Sequence, residues 1–599
     1  MSVNEGNRWL PVTRKEVEQL GWDQPDVIIV TGDAYVDHPS FGAAVIGRVI
    51  ENEGFRVAII PQPNWRDDLR DFRKLGKPKY FFGVTAGNMD SMVNHYTASR
   101  RLRSNDAYSP GGKSGFRPDY ATIVYTKILK QLYPDIPVVA GGIEASMRRI
   151  THYDYWTDKL EPSIIVSSGA DMLVYGMGEQ PVRELMRHLS KGVPFKSLKT
   201  IPQTVVIIPK DEVMPSSEKW KDKILHSYEE CISNKQLFAK NFVTFERESN
   251  KLHASRIIEG AGEMKIIVNP PFPPMREEEA DHTYDLPYRY SPHPKYREKD
   301  AIPAYEMIRF SVNIHRGCFG GCSFCAIAAH QGKQIVSRSE KSILREIGKI
   351  SLLPEFKGYL TDLGGPSANM YRMTGLNMDL CKKCSRPSCI WPGVCRNLNT
   401  DHRHLTALYR KVNALPGIKK AFIGSGVRYD LLLKEGNPSA GESEKEYLNE
   451  LIKNHVSGWL KVAPEHTAPK VLKLMRKMPF DLFSRLKDNF ESIVKAGDLN
   501  YMIIPYFISG HPGCSVADMH DLESKVRSLG IKPEQVQDFT PTPMTLSTAM
   551  YYLRMDPYTS EKLYVAKEIS EKKKQKEMFF WYKEKANRGG TSKRHNSNR

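Results

Sequence analysis

The chain has 599 residues, a formal net charge of +18, and 40% hydrophobic and 26% charged residues. This length exceeds the roughly 250–300 residues at which single cores stop growing, so several cores are expected, and the composition is typical of a soluble globular protein. The polar start and the lack of any run near about 18 apolar residues predict neither an export signal nor a membrane partner. Nine cysteines, seven of them within 318–395, indicate metal ligands in a reducing cytoplasm rather than secreted disulfides.

The first two hundred residues alternate short buried-strand patterns with helical ones, which predicts a parallel α/β sheet. Open sheets of this kind bind ligands at the carboxyl ends of their strands, and polar, glycine-containing loops follow several of these strands. The predicted strands are 27–31, 56–60, 80–84, 138–140 and 172–175, with a helix at 41–52, and the polar loops are 31–33, 86–90, 141–144 and 176–179.

Two glycine-bearing phrases, 137–143 and 170–179, resemble the cobalamin-binding-type domains that precede many radical S-adenosylmethionine (SAM) cores. The Asp-x-His-x-x-Gly signature of a lower axial ligand is absent, because Asp37 and His38 are adjacent. We therefore expect a Rossmann-like sheet without cobalamin, which serves substrate binding or core packing.

The composition becomes irregular from 201 to 303. A charged helical stretch is predicted at 216–240, and a proline-rich run follows at 269–274. Because proline fixes φ and removes a backbone donor, we expect an ordered segment packed on the N-terminal domain rather than a third core.

Cys318, Cys322 and Cys325 form a C-x3-C-x2-C motif with glycines between the first two. Three thiolates can hold three irons of a cubane and leave the fourth iron open, whereas most ferredoxin-type sites supply four cysteines. Zinc sites usually pair cysteines across a longer arm. With Phe324 before the third cysteine, the motif resembles the radical SAM signature, which implies a [4Fe-4S] cluster with SAM on the open iron and Phe324 near the cofactor.

A repeated strand-then-helix pattern after this motif predicts a partial (β/α) barrel, in which functional groups come from the carboxyl ends of strands. Gly364 and Gly365 end the second strand, where the missing Cβ allows the backbone to approach a ligand. They resemble the glycine element that meets the SAM amino group, although Pro366 replaces its usual acidic residue. The predicted strands are 307–314, 358–365, 421–428, 459–466, 501–513 and 536–543.

Four further candidates follow the third and fourth predicted strands. Ser425 and Arg428 face the barrel mouth, and the guanidinium suits the SAM carboxylate, with a structural ion pair as the alternative. Glu465 and His466 are predicted to contact SAM ribose or substrate as catalytic residues. The alternative for Glu465 is that it only caps the following helix.

A second cysteine group has the spacing C-x2-C-x4-C-x5-C. Four soft ligands within fifteen residues are enough for tetrahedral zinc or for an auxiliary iron–sulfur cluster, and the sequence does not separate the two. Four free reduced thiols at this density are the alternative. The group comprises Cys381, Cys384, Cys389 and Cys395.

Several motifs together make the chain similar to the YgiQ family of radical SAM proteins over nearly its whole length. They are Trp-Leu-Pro at 9–11, Gly-Asp-Ala-Tyr-Val-Asp-His-Pro at 32–39, the stretch 86–96, the triad loop, and Val-Ala-Pro-Glu-His at 462–466. The barrel elements also resemble the methylthiotransferase, elongator acetyltransferase and NifB-type group. The family's reaction is undefined, so the resemblance implies chemistry but no substrate.

The predicted function is a radical SAM enzyme that generates a 5′-deoxyadenosyl radical and needs a flavodoxin- or ferredoxin-type one-electron donor. An RNA substrate is slightly favoured, from the net charge and from the neighbouring families, and a small metabolite or a peptide is the alternative. The alternatives are a nucleic-acid-binding zinc protein and a cluster carrier without SAM turnover. The predicted domains are 1–200 (Rossmann-like), 201–303 (connecting segment), 304–556 (barrel, with the Cys-rich insertion 381–395) and 557–599 (basic helix and disordered tail).

Overall fold

The computed structural model describes residues 8–215, 217, 219–433 and 438–582, with only the backbone described at 438–440 and 535. The tail predicted for 588–599 lies outside these residues. No helix in the described part of the chain is both long and apolar enough to cross a membrane.

A nine-stranded sheet organises the N-terminal half. Five neighbouring strands run parallel, as predicted, and the chain then adds four strands with mainly antiparallel pairing. In spatial order the strands are Val57–Pro61, Val27–Thr31, Phe81–Thr85, Val138–Gly141, Met172–Val174, Thr204–Pro209, Met264–Val268, Arg256–Ala261 and Asp222–Ile224.

The strand Val27–Thr31 shows why strands in the N-terminal half have continuous apolar sequences. All five residues are buried, because successive side chains point to opposite faces and helices cover both faces. Ile29 packs in the core shared with the helices Gly42–Asn52 and Glu179–Ser190, whereas Ile28 packs with the helix Ala121–Leu132. The α/β fold class predicted from sequence is confirmed.

The segment 201–303 differs from its prediction in two respects. Its first part does not merely connect, because four of its strands extend the N-terminal sheet. The stretch predicted as one charged helix contains a strand, Asp222–Ile224, and two helices, Tyr228–Ser233 and Lys235–Ser249. Continuous apolar runs within 204–208 and 264–268 carry the strand signal that the prolines outweighed in our interpretation.

The C-terminal half contains parallel strand pairs in the order expected of a partial barrel. Ser311–Asn313 pairs with Asp362–Gly364, and Tyr359–Leu360 pairs with Lys420–Ala421. Trp459–Glu465, Met502–Ser509 and Gln535–Asp538 form a three-stranded parallel sheet. The helices between and after the strands are Glu340–Ser351, Arg403–Asn413, Pro438–Glu450, Pro469–Met475, Asp481–Ala496, Val516–Ser528 and Leu546–Leu553.

Four predicted barrel strands are shorter than expected, and of these the fifth and sixth are Met502–Ser509 and Gln535–Asp538. Residues 307–308 belong to the helix Pro303–Ile308, and the third strand is only Lys420–Ala421, so that residues 422–428 form an irregular loop. The loop residues Gly424 and Ser425 donate backbone hydrogen bonds to the carboxylate of Asp362, which replaces ladder pairing there.

The described end of the chain packs against the barrel. Helix Ile569–Glu577 places the Gln575 amide between two barrel backbone groups, the N–H of Gly510 and the carbonyl of Cys514. Lys572 is buried and donates to two tyrosine hydroxyls, and Lys576 pairs with Asp538. Part of the basic run that favoured RNA is therefore engaged within the protein, and the RNA substrate stays a prediction.

Candidate metal and cofactor site

The predicted triad lies on one loop between two short elements. The strand His315–Arg316 leads into the loop, and the helix Ile327–Gln331 leaves it. Ser323 fixes the middle of the loop, since its N–H donates to the Met475 carbonyl at 3.1 Å and its carbonyl accepts from the Ser547 N–H at 2.9 Å. The ring of Phe324 packs edge-on to His511 at 6.3 Å between centroids.

The three thiols share one buried environment. Burial and the neighbouring thiol of Cys322 raise the pKa of Cys318, and burial with both other thiols raises the pKa of Cys325 to about 12. The Cys318 and Cys325 thiols therefore resist ionising unless positive charge is supplied. A metal cluster supplies that charge, and the donor set therefore fits the predicted group.

Arg428 provides part of the positive charge. Its Nη1 donates to Cys322 Sγ at 3.2 Å, and its Nε and Nη2 bind the carboxylate of Asp430 at 3.1 and 2.5 Å. Burial raises the pKa of Asp430, but Arg428 outweighs this effect and the net shift is downward. The predicted contact with the SAM carboxylate is not tested, and Asp430 is a partner that sequence reasoning missed.

The two predicted glycines have crowded surroundings. A Cβ on Gly364 would lie 2.7 Å from Ser425 Oγ, and a Cβ on Gly365 would lie 2.6 Å from the ring of His315. Ser425 in turn donates a short hydrogen bond to Asp362. Close approach of neighbours therefore requires glycine at both positions. The structure brings Gly364 and Ser425 together, a contact that the sequence did not predict.

Glu465 and His466 diverge in their contacts. Glu465 is buried and has a left-handed φ of 69°. Its carboxylate lies 3.7 Å from Lys477 Nζ, and burial raises the pKa of the Glu465 side chain. A non-glycine residue in this conformation stores strain, which is common at functional sites. It does not cap the next helix, whose N-cap is Ala468. His466 instead accepts from the Ala468 N–H at 3.0 Å and contacts Cys514 Sγ at 3.4 Å.

The second cysteine group is also gathered in space. Burial, together with the thiol of Cys384, raises the pKa of Cys381, and burial raises that of Cys389 to about 11. Donors approach the sulfurs: Lys333 Nζ lies 4.0 Å from Cys384 Sγ, and Asn397 Nδ2 lies 3.3 Å from Cys381 Sγ.

This group packs directly on the triad loop. The Cys389 N–H donates to the Phe319 carbonyl at 3.0 Å, and Ser388 Oγ donates to the Gly320 carbonyl at 2.7 Å. Gly321 has a φ of 62°, and a Cβ there would lie 2.4 Å from the Pro387 carbonyl oxygen. The sequence gives no sign of this contact, because about sixty residues separate the two groups.

In the described residues, no three or more His, Cys, Asp and Glu side chains are arranged to hold a metal ion as they stand. Thiolates of an iron–sulfur cluster bind different irons, so they are spread around the cluster. The assignment of each cysteine group to a metal stays a prediction.

The polar loops of the N-terminal sheet contribute mainly structure. Asp33 pairs with Arg117 at 2.9 Å, Asp90 pairs with Arg148, and Glu144 accepts from the Ser91 N–H at 2.8 Å. These acids are buried and bind within the sheet edge. The cobalamin prediction is not tested by these contacts.

Comparison with protein families identifies the chain. The profile described as Radical SAM N-terminal matches residues 9–311, and a domain of unknown function (DUF3362) matches residues 534–589. A UPF0313 protein of Bacteroides thetaiotaomicron is 58% identical over 587 residues, which cover 96% of this chain and 94% of that one. The chain belongs to the UPF0313 family. A Methanosarcina mazei UPF0313 protein is 44% identical, with 95% and 94% covered.

Membership of this YgiQ-type family confirms the resemblance drawn from the motifs, and the protein is a radical SAM enzyme whose reaction is not identified. One similar solved structure is that of the radical SAM methyltransferase TsrM from Kitasatospora setae, with cobalamin and a [4Fe-4S] cluster bound. The TM-score is 0.49 and the sequence identity is 15%, with 87% of this chain and 74% of that chain covered. A likeness this distant carries no argument about ligand or reaction in this UPF0313 protein.

Proposed function

We propose that Cys318, Cys322 and Cys325 hold a [4Fe-4S] cluster whose open iron binds SAM. The observation that carries the proposal is the half-buried triad with the guanidinium of Arg428 on Cys322 Sγ at 3.2 Å. When bound, a reduced cluster of this kind passes one electron to the SAM sulfonium, the C5′–S bond breaks, and methionine and a 5′-deoxyadenosyl radical form as the cluster is reoxidised.

The chain's own residues have three tasks. Arg428 stabilises thiolate charge, and Asp430 holds its guanidinium in place. Gly364 and Gly365 let the side chains of Ser425 and His315 pack closely against the end of their strand, which is where we propose that the SAM amino group binds. Glu465 offers a buried carboxyl group whose raised pKa suits hydrogen bonding to ligand hydroxyls.

We also propose that the second cysteine group binds a metal and stabilises the triad loop. The support is its two hydrogen bonds to that loop, from Cys389 and from Ser388. Zinc and an auxiliary iron–sulfur cluster both fit four thiolates. A one-electron donor of the flavodoxin or ferredoxin type completes the proposed system.

The test is SAM cleavage by anaerobically reconstituted protein with dithionite as reductant. We expect 5′-deoxyadenosine and methionine in equal amounts from the wild type, and neither from Cys322→Ala. Cys231→Ala is the matched control, since Cys231 is a lone buried thiol outside both groups. Equal cleavage by Cys322→Ala and wild type would overturn the proposal.

A further inference from the structure

A cavity of about 490 Å³ lies between the N-terminal sheet and the triad loop. Its apolar wall comes from residues of the sheet strands and from the helix Gly42–Asn52, and includes Phe81, Val139, Val174 and Ala43. The volume falls within the range of pockets that enclose small-molecule ligands. Loops at the carboxyl ends of parallel strands are the usual place for such a pocket.

Residues on both sides of the triad loop line the cavity. His315, which lines it, lies three residues before Cys318, and Ile327 lines it two residues after Cys325. Pro366 also lines the cavity, and the next residue, Ser367, places its hydroxyl 3.8 Å from Cys318 Sγ.

The most informative lining residue is His315, which sequence reasoning missed. Its side chain is 1% exposed, and neither ring nitrogen makes a hydrogen bond of normal geometry, although the backbone of Ser367 approaches the ring. Burial lowers its pKa to about 3, so the ring is neutral, with one donor and one acceptor nitrogen. A buried polar atom left without a partner is destabilising, and a bound ligand that supplied a hydrogen bond would remove that cost.

Two more buried polar atoms at the cavity have no hydrogen-bond partner: His330 Nδ1 and Glu179 Oε2. Burial lowers the pKa of His330 to about 4, so this ring is also neutral. Among the described lining residues, the charged side chains are Glu179 and Arg316, which pair with each other. The cavity therefore lacks the excess positive charge that binding of phosphate groups requires.

We propose that this cavity binds the enzyme's substrate, an uncharged metabolite-sized molecule with an apolar body and both donor and acceptor groups. The proposal rests on the proposed function, because only radical chemistry at the triad makes the cavity's occupant a substrate. Under this proposal, the substrate is selected where the N-terminal sheet meets the elements that flank the triad loop. The substrate is then a small molecule and not RNA.

The test measures retention of ligand rather than turnover. Anaerobically reconstituted protein is incubated with the ultrafiltered metabolite fraction of a cell extract, separated by gel filtration, denatured, and the released compounds are identified by mass spectrometry. Ala43→Phe fills the cavity and Ala43→Ser is its matched control, while His315→Leu removes the donor and acceptor at similar size. Circular dichroism and thermal melting establish that each variant folds.

We expect wild type and Ala43→Ser to retain the same neutral compound, with retention falling at least about tenfold in Ala43→Phe and His315→Leu. Any of three results would overturn the proposal. These are that the wild type retains no compound, that Ala43→Phe retains as much as the wild type, or that the retained compound is a corrinoid or a phosphorylated molecule. No reductant is added, so this result is independent of SAM cleavage. Retention without any SAM cleavage would instead refute the proposed function and leave only a ligand site.

Discussion

Gly365→Ala tests the packing at the end of the second barrel strand. The added Cβ would lie 2.6, 2.8 and 2.8 Å from three atoms of the His315 ring, and real Cβ contacts are essentially never under 3.0 Å. The ring is buried and cannot swing into solvent, so it or the strand must shift. Overpacking of this kind costs about 1–3 kcal/mol.

The assay is urea unfolding of the metal-free protein, with the midpoint compared at constant slope. Gly426→Ala is the matched control, because a Cβ there meets nothing within 4 Å, and we expect it to change stability by less than about 0.5 kcal/mol. In a double-mutant cycle, His315→Ala should relieve most of the Gly365→Ala penalty. The reasoning fails if Gly365→Ala costs no more than Gly426→Ala, or if its cost is unchanged in the His315→Ala background.

Three further predictions follow from the described contacts. Arg428→Gln leaves Asp430 buried without its partner, and we expect the unfolding free energy to fall by about 3–5 kcal/mol. Adding Asp430→Asn should restore this stability. The cluster's reduction potential, measured by redox titration, should still be more negative in the double variant than in the wild type. Cys381→Ser should lose the second metal, zinc or iron, by mass-spectrometric metal analysis while the triad cluster signal persists. Burial lowers the pKa of His38 from 6.5 to about 3, so the unfolded state binds a proton that the folded state does not. Stability should therefore fall as pH drops below about 6.5, and His38→Asn should make that slope shallower by up to about 1.4 kcal/mol per pH unit in unfolding experiments.

Each of these predictions has an opposing result. If the Arg428→Gln, Asp430→Asn double variant had the wild-type reduction potential, Arg428 would have no electrostatic effect on the cluster. Unchanged metal content in Cys381→Ser would mean that the second group is a set of free thiols. Parallel pH profiles for wild type and His38→Asn would show that His38 does not titrate as its burial implies.

The sequence predicted the parallel sheet well because its strands are buried on both faces and therefore appear as continuous apolar runs. It failed at 204–268, where prolines and charges obscured strands that extend the same sheet. These segments form strands because they pair with neighbouring strands of the sheet, and a local sequence pattern does not show which segments will pair.

The candidate site shows the same division. The spacing of Cys318, Cys322 and Cys325 predicted their common loop, whereas the contact of Gly364 with Ser425 appears only in the structure. The partners that define the site's electrostatics were not predictable. Asp430 binds Arg428 from two residues away in an irregular loop, and the second cysteine group packs on the triad loop across a long stretch of chain.

His315 illustrates what a sequence alone conceals. A histidine three residues before a cysteine motif has no distinctive pattern, and its importance comes from complete burial at a cavity wall. Contact between the N-terminal sheet and the barrel creates that wall, so only the tertiary structure identifies the residue.

The most direct test of the central claim is the electron paramagnetic resonance spectrum of the anaerobically reconstituted, reduced protein with and without SAM. The account predicts a [4Fe-4S] signal whose shape changes when SAM is added and which is absent from Cys322→Ala. A cluster signal that is unaffected by SAM, or one that persists without Cys322, would contradict SAM binding at the open iron of the triad cluster.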